Sequence, residues 1–399
     1  MHLCSALLAY LVTIHVSAAA FPARCKSTTQ FGKAIYTITN ENANAVVAVP
    51  ISRTGMLSKG TSIMTGGMGS NFIDGITNKP AAPDALASQS ALTVAGNNLF
   101  AVNAGSNTIT MFEIDQSNPT KLTMVGQPIA VPGQFPNTVA ASQKNGIVCV
   151  GSSGAVSGIS CAKFSANGVA AMDTLRSIEL NQTTPPAGPT NTISHAFFSN
   201  DEKTLFVTVK GDPEKKKTGF IAAYQVESGS GSPLVCEQGV RSSPNGTAVL
   251  FGSSTIPNTT DLFTTDASFG AAVLSIEAST NAATVKGMAA VDGQKATCWV
   301  AVSPATNTAF VTDVGTNRLV EMSVTDASIK SVIDLGANND PGLIDLKASG
   351  KFIYALSPGN GTTQPAITVV NAVSKKQVQH FPLEQLGVGK NAQGMALLV

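Results

Sequence analysis

The sequence predicts an all-β protein folded as a seven-bladed β-propeller, with the ring closed by a C-terminal strand that pairs into the first blade. Three observations lead to this fold. One strand-turn-strand pattern returns along the chain of 399 residues, its copies number seven, and the chain ends on a surplus apolar segment. Regular repetition of short strands is typical of a propeller.

The pattern is clearest in residues 98–114, where apolar and polar residues alternate at period two on both sides of a turn that contains Asn and Gly. Such alternation indicates strands, and the Asn and Gly residues are turn formers. Residues 308–324 repeat the stretch 210 positions later without a gap, with Phe, Gly and Asn at identical offsets. The agreement predicts an internal repeat of two strands joined by a tight turn.

Five weaker copies complete the set, with strands that begin near residues 35, 147, 205, 248 and 353. The copy near 248 is assigned from the apolar run Val249-Leu250-Phe251. Spacings of roughly 40–65 residues leave room for about four short strands in each unit, which favours a propeller over a solenoid. Because blades pack side by side into one continuous core, we expect a single domain over residues 21–399.

The two ends of the chain predict how the ring closes. The first unit has too little sequence before Ile35 for a preceding strand, whereas residues 393–398 form an apolar segment with no unit of their own. We expect this segment to pair into the first blade as its innermost strand, because an open strand edge invites aggregation.

Residues 1–20 are predicted to be a secretory signal peptide. The apolar run from Leu3 to Val16 is too short to cross a bilayer, and residues 17–20 are small residues suited to cleavage. We therefore expect an exported protein, extracellular or associated with the cell wall, without a membrane span.

The composition limits the partners. Charged residues make up 12% of the chain and the formal net charge is +1, whereas nucleic acids and anionic membranes require a concentrated basic surface. Four glycosylation sequons lie in predicted loops, so we expect a glycoprotein. The acceptor residues are Asn181, Asn245, Asn258 and Asn360. We also expect the protein to be a monomer.

Removal of the signal takes one of the six cysteines and leaves five, so at least one is unpaired within the chain. Cys149 and Cys161 flank a turn symmetrically, and an antiparallel hairpin would place them opposite each other. This predicts a disulfide bond. Cys236 with Cys298 is a second candidate pair, which leaves Cys25. No Cys or His spacing suits a metal, and we expect none.

These units resemble the blades of the seven-bladed lactonase propellers, a group that includes 6-phosphogluconolactonase and the fungal 3-carboxymuconate cyclases. The resemblance rests on the strand-turn-strand stretch and on preceding turns such as Ser303-Pro304 and Ser243-Pro244. It covers nearly the whole mature chain and implies the fold. Secreted, glycosylated fungal members are known as surface glycoproteins, and the signal and sequons here are similar to theirs.

Enzymes of that family present His, Arg and Glu around the channel mouth, and this chain offers few such residues. His195 is the single acid/base candidate on a predicted innermost strand, where a histidine can also serve only as a hydrogen-bonding group. Arg241 precedes Ser243-Pro244, is expected near the channel, and could hold a carboxylate bidentately.

Three further residues are expected to line the channel. Trp299 could floor a ligand pocket or pack between blades. Asn137 stands where the family pattern allows a histidine, and an amide transfers no proton at neutral pH. Asp340 occupies a comparable place in the last blade. We expect no cofactor, since no phosphate-binding loop or nucleophile-elbow motif is present.

Two functions remain open. The first is a non-catalytic, secreted surface glycoprotein that binds an extracellular protein or glycan, for example in adhesion to a host during virulence. The second is a lactonase or muconate-type cycloisomerase that acts on a small carboxylated substrate, with His195 as acid/base and Arg241 as anchor. Convergence of these two side chains at the channel mouth would favour the enzyme.

Overall fold

The computed structural model describes residues 31–227 and 234–399. Its strands form seven antiparallel sheets, or blades, and the innermost strand of each blade contacts the innermost strands of both neighbours in a closed circle. The prediction of a seven-bladed propeller is confirmed. Three short 3-10 turns interrupt the strands, at Pro213–Lys215, Gly336–Asn338 and Glu384–Leu386.

The blades are numbered along the chain, and each blade's strands are given from the channel outward. Blade 1 consists of Gln393–Leu398, Ala34–Ile38, Ala45–Pro50 and Thr61–Met64; blade 2 of Leu92–Ala95, Asn98–Asn103, Thr108–Ile114 and Leu122–Met124, with Ile129–Ala130 also beside the third strand; blade 3 of Pro136–Ser142, Ile147–Ser152, Gly158–Ser165 and Gly168–Val169, with Arg176–Ser177 also beside the third strand.

The remaining blades follow the same order. Blade 4 consists of Ile193–Phe198, Thr204–Val209, Phe220–Gln225 and Val240–Ser242; blade 5 of Leu250–Thr255, Leu262–Asp266, Gly270–Ile276 and Ala283–Ala290; blade 6 of Thr297–Ser303, Thr308–Asp313, Thr316–Ser323 and Ile329–Asp334; blade 7 of Ile344–Ser349, Phe352–Ser357, Ala366–Asn371 and Lys376–Pro382.

The core lies between the blades, because the inner strands are buried on both faces. The aromatic residue of the repeated second strand fills this space: Phe100, Phe310 and Tyr354 are at most 1% exposed and belong to the two largest apolar clusters. A strand that is covered on both sides must be apolar on both sides. This is why the second strands are rich in apolar residues and why six of the seven contain an aromatic ring.

The C-terminal strand closes the ring as predicted. Gln393–Leu398 pairs antiparallel with Ala34–Ile38, and Leu398 lies opposite Ala34. The backbone N–H of Lys33 extends the ladder by donating to the carbonyl of Leu398. Blade 1 therefore joins the two ends of the described chain and has no open inner edge.

Most innermost strands carry a β-bulge at the same level along the channel axis. The register against the second strand shifts by one residue at Asn137, Ser194, Cys298 and Asp345, in blades 3, 4, 6 and 7. A bulge redirects a side chain and bends its strand. We call the end of the channel where the innermost strands begin the entry face, and the end where they finish the exit face. The bulges lie near the entry face.

Two long connections cover the entry face. Residues 65–91 link blade 1 to blade 2, and residues 178–192 link blade 3 to blade 4. They are joined by a short parallel pairing of Ile73–Asp74 with Ala187–Gly188. The connections thus support each other across the ring.

One strand assignment from the sequence is wrong. The run Val249-Leu250-Phe251 belongs to the innermost strand of blade 5 and not to its second strand, which is Leu262–Asp266. Phe263 is the buried aromatic of that second strand. The error moved the expected channel-facing segment of blade 5 upstream, onto the outermost strand of blade 4.

The cysteines follow one prediction and contradict another. Cys149 and Cys161 are directly opposed in blade 3 and form a disulfide with an S–S distance of 2.10 Å, as predicted. Cys236 and Cys298 are both free thiols, so the second proposed pair is wrong. Cys298 is buried on the innermost strand of blade 6, whereas Cys236 follows the third strand of blade 4. Cys25 lies outside the described residues.

Candidate functional site

The central channel is filled near the entry face by the chain itself. Residues 84–91, which we call the channel plug, lead from the long connection into the innermost strand of blade 2, and all eight are buried. The plug was not predicted from the sequence. It occupies the place where a propeller ordinarily receives a ligand.

The plug is hydrogen-bonded to the innermost strands of blades 3 and 4. Ser88 Oγ donates to the carbonyl of Asn137 (2.6 Å), and Asn137 Nδ2 donates to the carbonyl of Leu86 (3.3 Å). The backbone N–H of Gln89 donates to the carbonyl of Ser194 at 2.8 Å. Asn137 and Ser194 are bulge residues, so the bulges hold the plug.

Gln89 joins the plug to blades 5 and 6. Its Nε2 donates to the carbonyls of Ser253 (3.4 Å) and Val300 (3.2 Å), and its Oε1 accepts the N–H of Val300 at 3.1 Å. A Cβ on Gly252 would lie 2.1 Å from Gln89 Oε1. It would also lie 2.7 Å from the backbone carbonyl oxygen of Cys298, so a side chain at this position of blade 5 would displace Gln89 and press on the neighbouring strand.

Asp345 connects the plug to blades 7 and 1. Its fully buried carboxylate accepts, through Oδ2, the N–H groups of Ser90 (3.3 Å) and Met395 (2.9 Å), and Oδ1 accepts the N–H of Leu346 at 2.7 Å. Lys347 Nζ lies 3.4 Å from Oδ1. Buried carboxylates need such partners, and here the partners tie the plug to two blades.

Two buried ionisable side chains, Lys210 and Asp84, hold the middle of the plug by contacts with the backbone of Ala87. Lys210 is 2% exposed; its Nζ donates to the carbonyl of Ala87 and lies 4.5 Å from the ring centroid of Phe251. Asp84 Oδ1 accepts the N–H of the same Ala87 at 3.0 Å. Burial, opposed by the charge of Lys210, raises the pKa of Asp84 to about 7. Burial, opposed by Asp84, lowers the pKa of Lys210 to about 8.

The plug backbone is locally strained. Asp84, Ala87 and Ser90 have φ values of 66°, 48° and 63°, in the left-handed region that favours glycine. Three such residues within seven positions persist only where the surroundings impose them. The polar contacts to the inner strands provide that constraint.

His195 lies beneath the plug with both ring nitrogens engaged. The backbone N–H of Ser253 donates to Nδ1 at 3.1 Å, and Nε2 lies 3.0 Å from Ser90 Oγ. Because Nδ1 accepts, the neutral ring carries its proton on Nε2 and donates it to Ser90. Burial, aided by the charge of Lys347, holds the pKa of His195 well below its usual value.

The structure does not bring Arg241 to His195. Arg241 lies on the outermost strand of blade 4 in register with Ala222, whereas His195 is on the innermost strand of that blade. Three strand spacings, roughly 14 Å, separate them. The exposed Arg241 guanidinium packs 4.9 Å from the ring centroid of Phe220 and donates to the carbonyl of Ser177.

The other predicted channel residues have structural contacts. Trp299 is fully buried; its Nε1 donates to the plug carbonyl of Ser88 at 3.0 Å, and its ring packs edge-on against Phe251. Asp340 lies 3.0 Å from Nε2 of His380, which is on the outermost strand of blade 7. Asp340 therefore belongs to the rim rather than the channel wall.

An open cavity of about 280 Å³ remains at the exit face below the plug. His195 and Ser90 lie at its inner end, Phe197 and Phe198 on one wall, and Lys347 on another. In the part of the chain that the structure describes, no three His, Cys, Asp or Glu side chains form a group that could hold a metal. The same part holds no helix able to span a bilayer.

Two sequence signals could have revealed the plug. Residues 85–91 contain small and uncharged side chains without a glycine, which is unusual for a solvated loop. Lys210 directly follows the apolar run of a buried second strand, where a charge requires a partner. Neither signal says which distant segment supplies the contact.

The fold is shared with solved lactonase-type propellers. A periplasmic gluconolactonase of Pseudomonas aeruginosa matches with a TM-score of 0.64 and 13% identity, over 92% of this chain and 99% of that one. A putative 6-phosphogluconolactonase from Bacteroides uniformis matches with a TM-score of 0.61 and 15% identity, over 91% and 99%.

A functionally unknown protein from Desulfotomaculum acetoxidans gives a TM-score of 0.58 and 12% identity, over 91% of this chain and 98% of that one. No protein-family model and no curated sequence matches this chain significantly. At these identities the likeness concerns the scaffold: the chain shares the architecture of a seven-bladed propeller with these proteins. Similarity of fold does not transfer chemistry.

Proposed function

We propose that this chain is an exported, non-catalytic binding protein on a lactonase-type scaffold, a surface or matrix glycoprotein that engages an extracellular protein or glycan. The hydrogen bonding of both ring nitrogens of His195 is the observation that carries the proposal. A general base must accept a proton at the nitrogen that faces the nucleophile. Nε2 of His195 faces Ser90 Oγ but already carries the proton, because the N–H of Ser253 occupies Nδ1.

The contrast with a working Ser-His pair is physical. In such a pair Nδ1 donates to a carboxylate, which leaves Nε2 free to accept; the wrong tautomer costs orders of magnitude in rate. Here the partner of Nδ1 is the backbone N–H of Ser253, which can only donate, so Nδ1 can only accept. The depressed pKa of His195 also disfavours the imidazolium that would act as an acid.

The predicted signal peptide and the predicted glycosylation sites support the same role. All four sequon asparagines are exposed, so an oligosaccharide could be attached without disturbing a blade. Asn181, Asn245 and Asn360 lie in connections at the entry face, and Asn258 lies in a turn at the exit face. Together with the N-terminal signal sequence, these positions suit a protein displayed outside the cell.

The alternative is a lactonase or cycloisomerase that acts from the exit face. Ser90 and His195 at the end of an open cavity, with the ammonium of Lys347 on its wall, favour a small carboxylated substrate. In that alternative Lys347 would anchor the carboxylate and His195 would protonate the leaving oxygen. The fixed tautomer and the ion pair of Lys347 with Asp345 argue against it.

Lactone hydrolysis separates the two functions. We expect the purified secreted protein to open glucono-δ-lactone and other small lactones no faster than buffer, at any pH from 5 to 9. The His195→Ala variant is the matched measurement, with melting followed in parallel. Turnover by the wild type that disappears in a folded His195→Ala variant would establish the enzyme instead.

A further inference from the structure

The exit face carries a second recess that continues the cavity below the plug. A cleft of about 350 Å³ lies between blades 4 and 5, and Thr255 lines both this cleft and the central cavity. The two recesses adjoin at Thr255 and together are called the exit-face groove, which extends from the channel to the third strands of the two blades. Two strand spacings set its length at roughly 10 Å, longer than a single sugar ring.

An aromatic row runs beneath the groove. The ring of His195 stacks on Phe197 with centroids 4.8 Å apart, and Phe197 lies 5.5 Å from Phe206. Phe197 and Phe198 are half-buried, so part of each ring faces the recess. Flat aromatic surface is suited to the C–H faces of sugar rings, because both are apolar and rigid.

Hydroxyl and amide groups form the walls. Among the described residues, the side chains of Gln225, Asn281 and Thr255 make no hydrogen bond within the chain, and all three line the cleft. An amide offers a donor and an acceptor side by side, which matches a pair of neighbouring sugar hydroxyls. Asn200 Nδ2 fixes the wall by donating to the carbonyls of Ile256 and Thr259 across the two blades.

The groove carries no unpaired charge. Lys286 lies 2.6 Å from Asp261, Lys203 lies 3.8 Å from Asp201, and Lys347 at the channel end is paired with Asp345. These pairs leave no excess of either sign to attract a phosphate, a sulfate or an ammonium group. The lining therefore selects a neutral, hydroxyl-rich ligand.

We propose that the exit-face groove binds a neutral oligosaccharide, stacked along Phe197 and hydrogen-bonded by Gln225, Asn281 and Thr255. This rests on the proposed binding function and names its ligand class. The oligosaccharide comes either from a separate glycan or from the chain's own sequon at Asn258, which is exposed one residue before the lining residue Thr259.

Calorimetry and saturation-transfer NMR with neutral tetrasaccharides of β-1,3-glucan, chitin and α-mannan test the proposal on the full secreted chain. We expect saturable binding of at least one, weakened about tenfold or more by Gln225→Ala and by Asn281→Ala, a loss of roughly 1.4 kcal/mol each. Gln116→Ala is the matched control, since this exposed amide lies on the exit face of blade 2. It should leave binding unchanged.

The Asn258→Gln variant distinguishes the two sources of the oligosaccharide, a separate glycan and the chain's own glycan at Asn258. A groove occupied by the chain's own glycan gives no binding in the glycosylated wild type and restored binding in Asn258→Gln; a groove open to separate glycans binds in both. The proposal is overturned if neither protein binds any neutral tetrasaccharide up to roughly 10 mM. It is equally overturned if the Gln225→Ala and Asn281→Ala substitutions leave the affinity for the tetrasaccharide unchanged. Neither outcome bears on lactone turnover. The absence of catalysis is tested by the lactone assay alone, so a failure of oligosaccharide binding is distinguishable from a failure of the proposed function.

Discussion

Replacing Lys210 by methionine is expected to lower the free energy of unfolding by about 2–3 kcal/mol, because the buried plug loses its charged donor, while Asp84, without a positive neighbour, keeps its proton. The variant also loses the hydrogen bond to the plug carbonyl of Ala87 and the contact with the Phe251 ring. Urea denaturation, followed by the fluorescence of the buried Trp299, measures the loss.

The double variant Lys210→Met with Asp84→Asn should recover part of that stability at pH 8, where Asp84 in the single variant must bind a proton against the solution pH and asparagine need not. Asparagine keeps an oxygen for the N–H of Ala87. Lys215→Met is the matched control, because Lys215 pairs with Asp212 on an exposed turn, where removal of an ion pair costs under about 1 kcal/mol. Equal denaturation midpoints for wild type and Lys210→Met would contradict the role of the pair.

The same pair predicts a pH dependence with a definite sign. The pKa of Asp84 is raised to about 7 in the folded protein, so the native state binds an extra proton below that pH. Stability from this group is complete below the unfolded pKa near 4 and is lost as the pH rises to 7. Relative to Asp84→Asn, the wild type should lose on the order of 1 kcal/mol per pH unit over that window.

Deleting residues 391–399 is expected to prevent folding and secretion. The deletion removes the innermost strand of blade 1, exposes the edge of Ala34–Ile38, and takes away the N–H that Met395 gives to Asp345. Met395 and Leu398 are also buried, and each contributes about 2–3 kcal/mol. The combined loss approaches the whole stability of an ordinary domain.

Secretion yield and melting temperature test this deletion. Removal of Val399 alone is the control, because that residue is 47% exposed and follows the strand. We expect normal yield and melting from the control, and little or no soluble protein from the longer deletion. A truncated protein that is secreted and melts at the wild-type temperature would show that blade 1 does not need this strand.

The repeat pattern was sufficient to predict the blades because the second strands pack between blades and so carry buried apolar residues, with an aromatic ring in every blade except the third. It failed in blade 5, where the innermost strand also reads Val249-Leu250-Phe251 and imitates a second strand. Phe263, followed by a turn and Gly270, was the stronger match to the repeat. Because of this wrong strand assignment, the sequence analysis placed Arg241 near the channel.

The candidate site was less predictable than the fold, because its contacts join distant parts of the sequence. His195 was identified from its residue type and strand, but its protonation depends on Ser253 in the next blade and Ser90 in the plug. Asn137 was expected to face a ligand, and it instead holds Leu86. Local patterns specify strands, whereas the partner of a buried polar group is set by the closed ring.

Ring closure by the last strand also sets an order of events during synthesis. Ile38 leaves the ribosome early, but its partner Gln393 follows only after the other six blades have been made. At typical elongation rates this delay is roughly 20–70 s. During this delay the inner edge of Ala34–Ile38 lacks its native partner, so pairing of that edge with a wrong strand is the main hazard for the nascent chain.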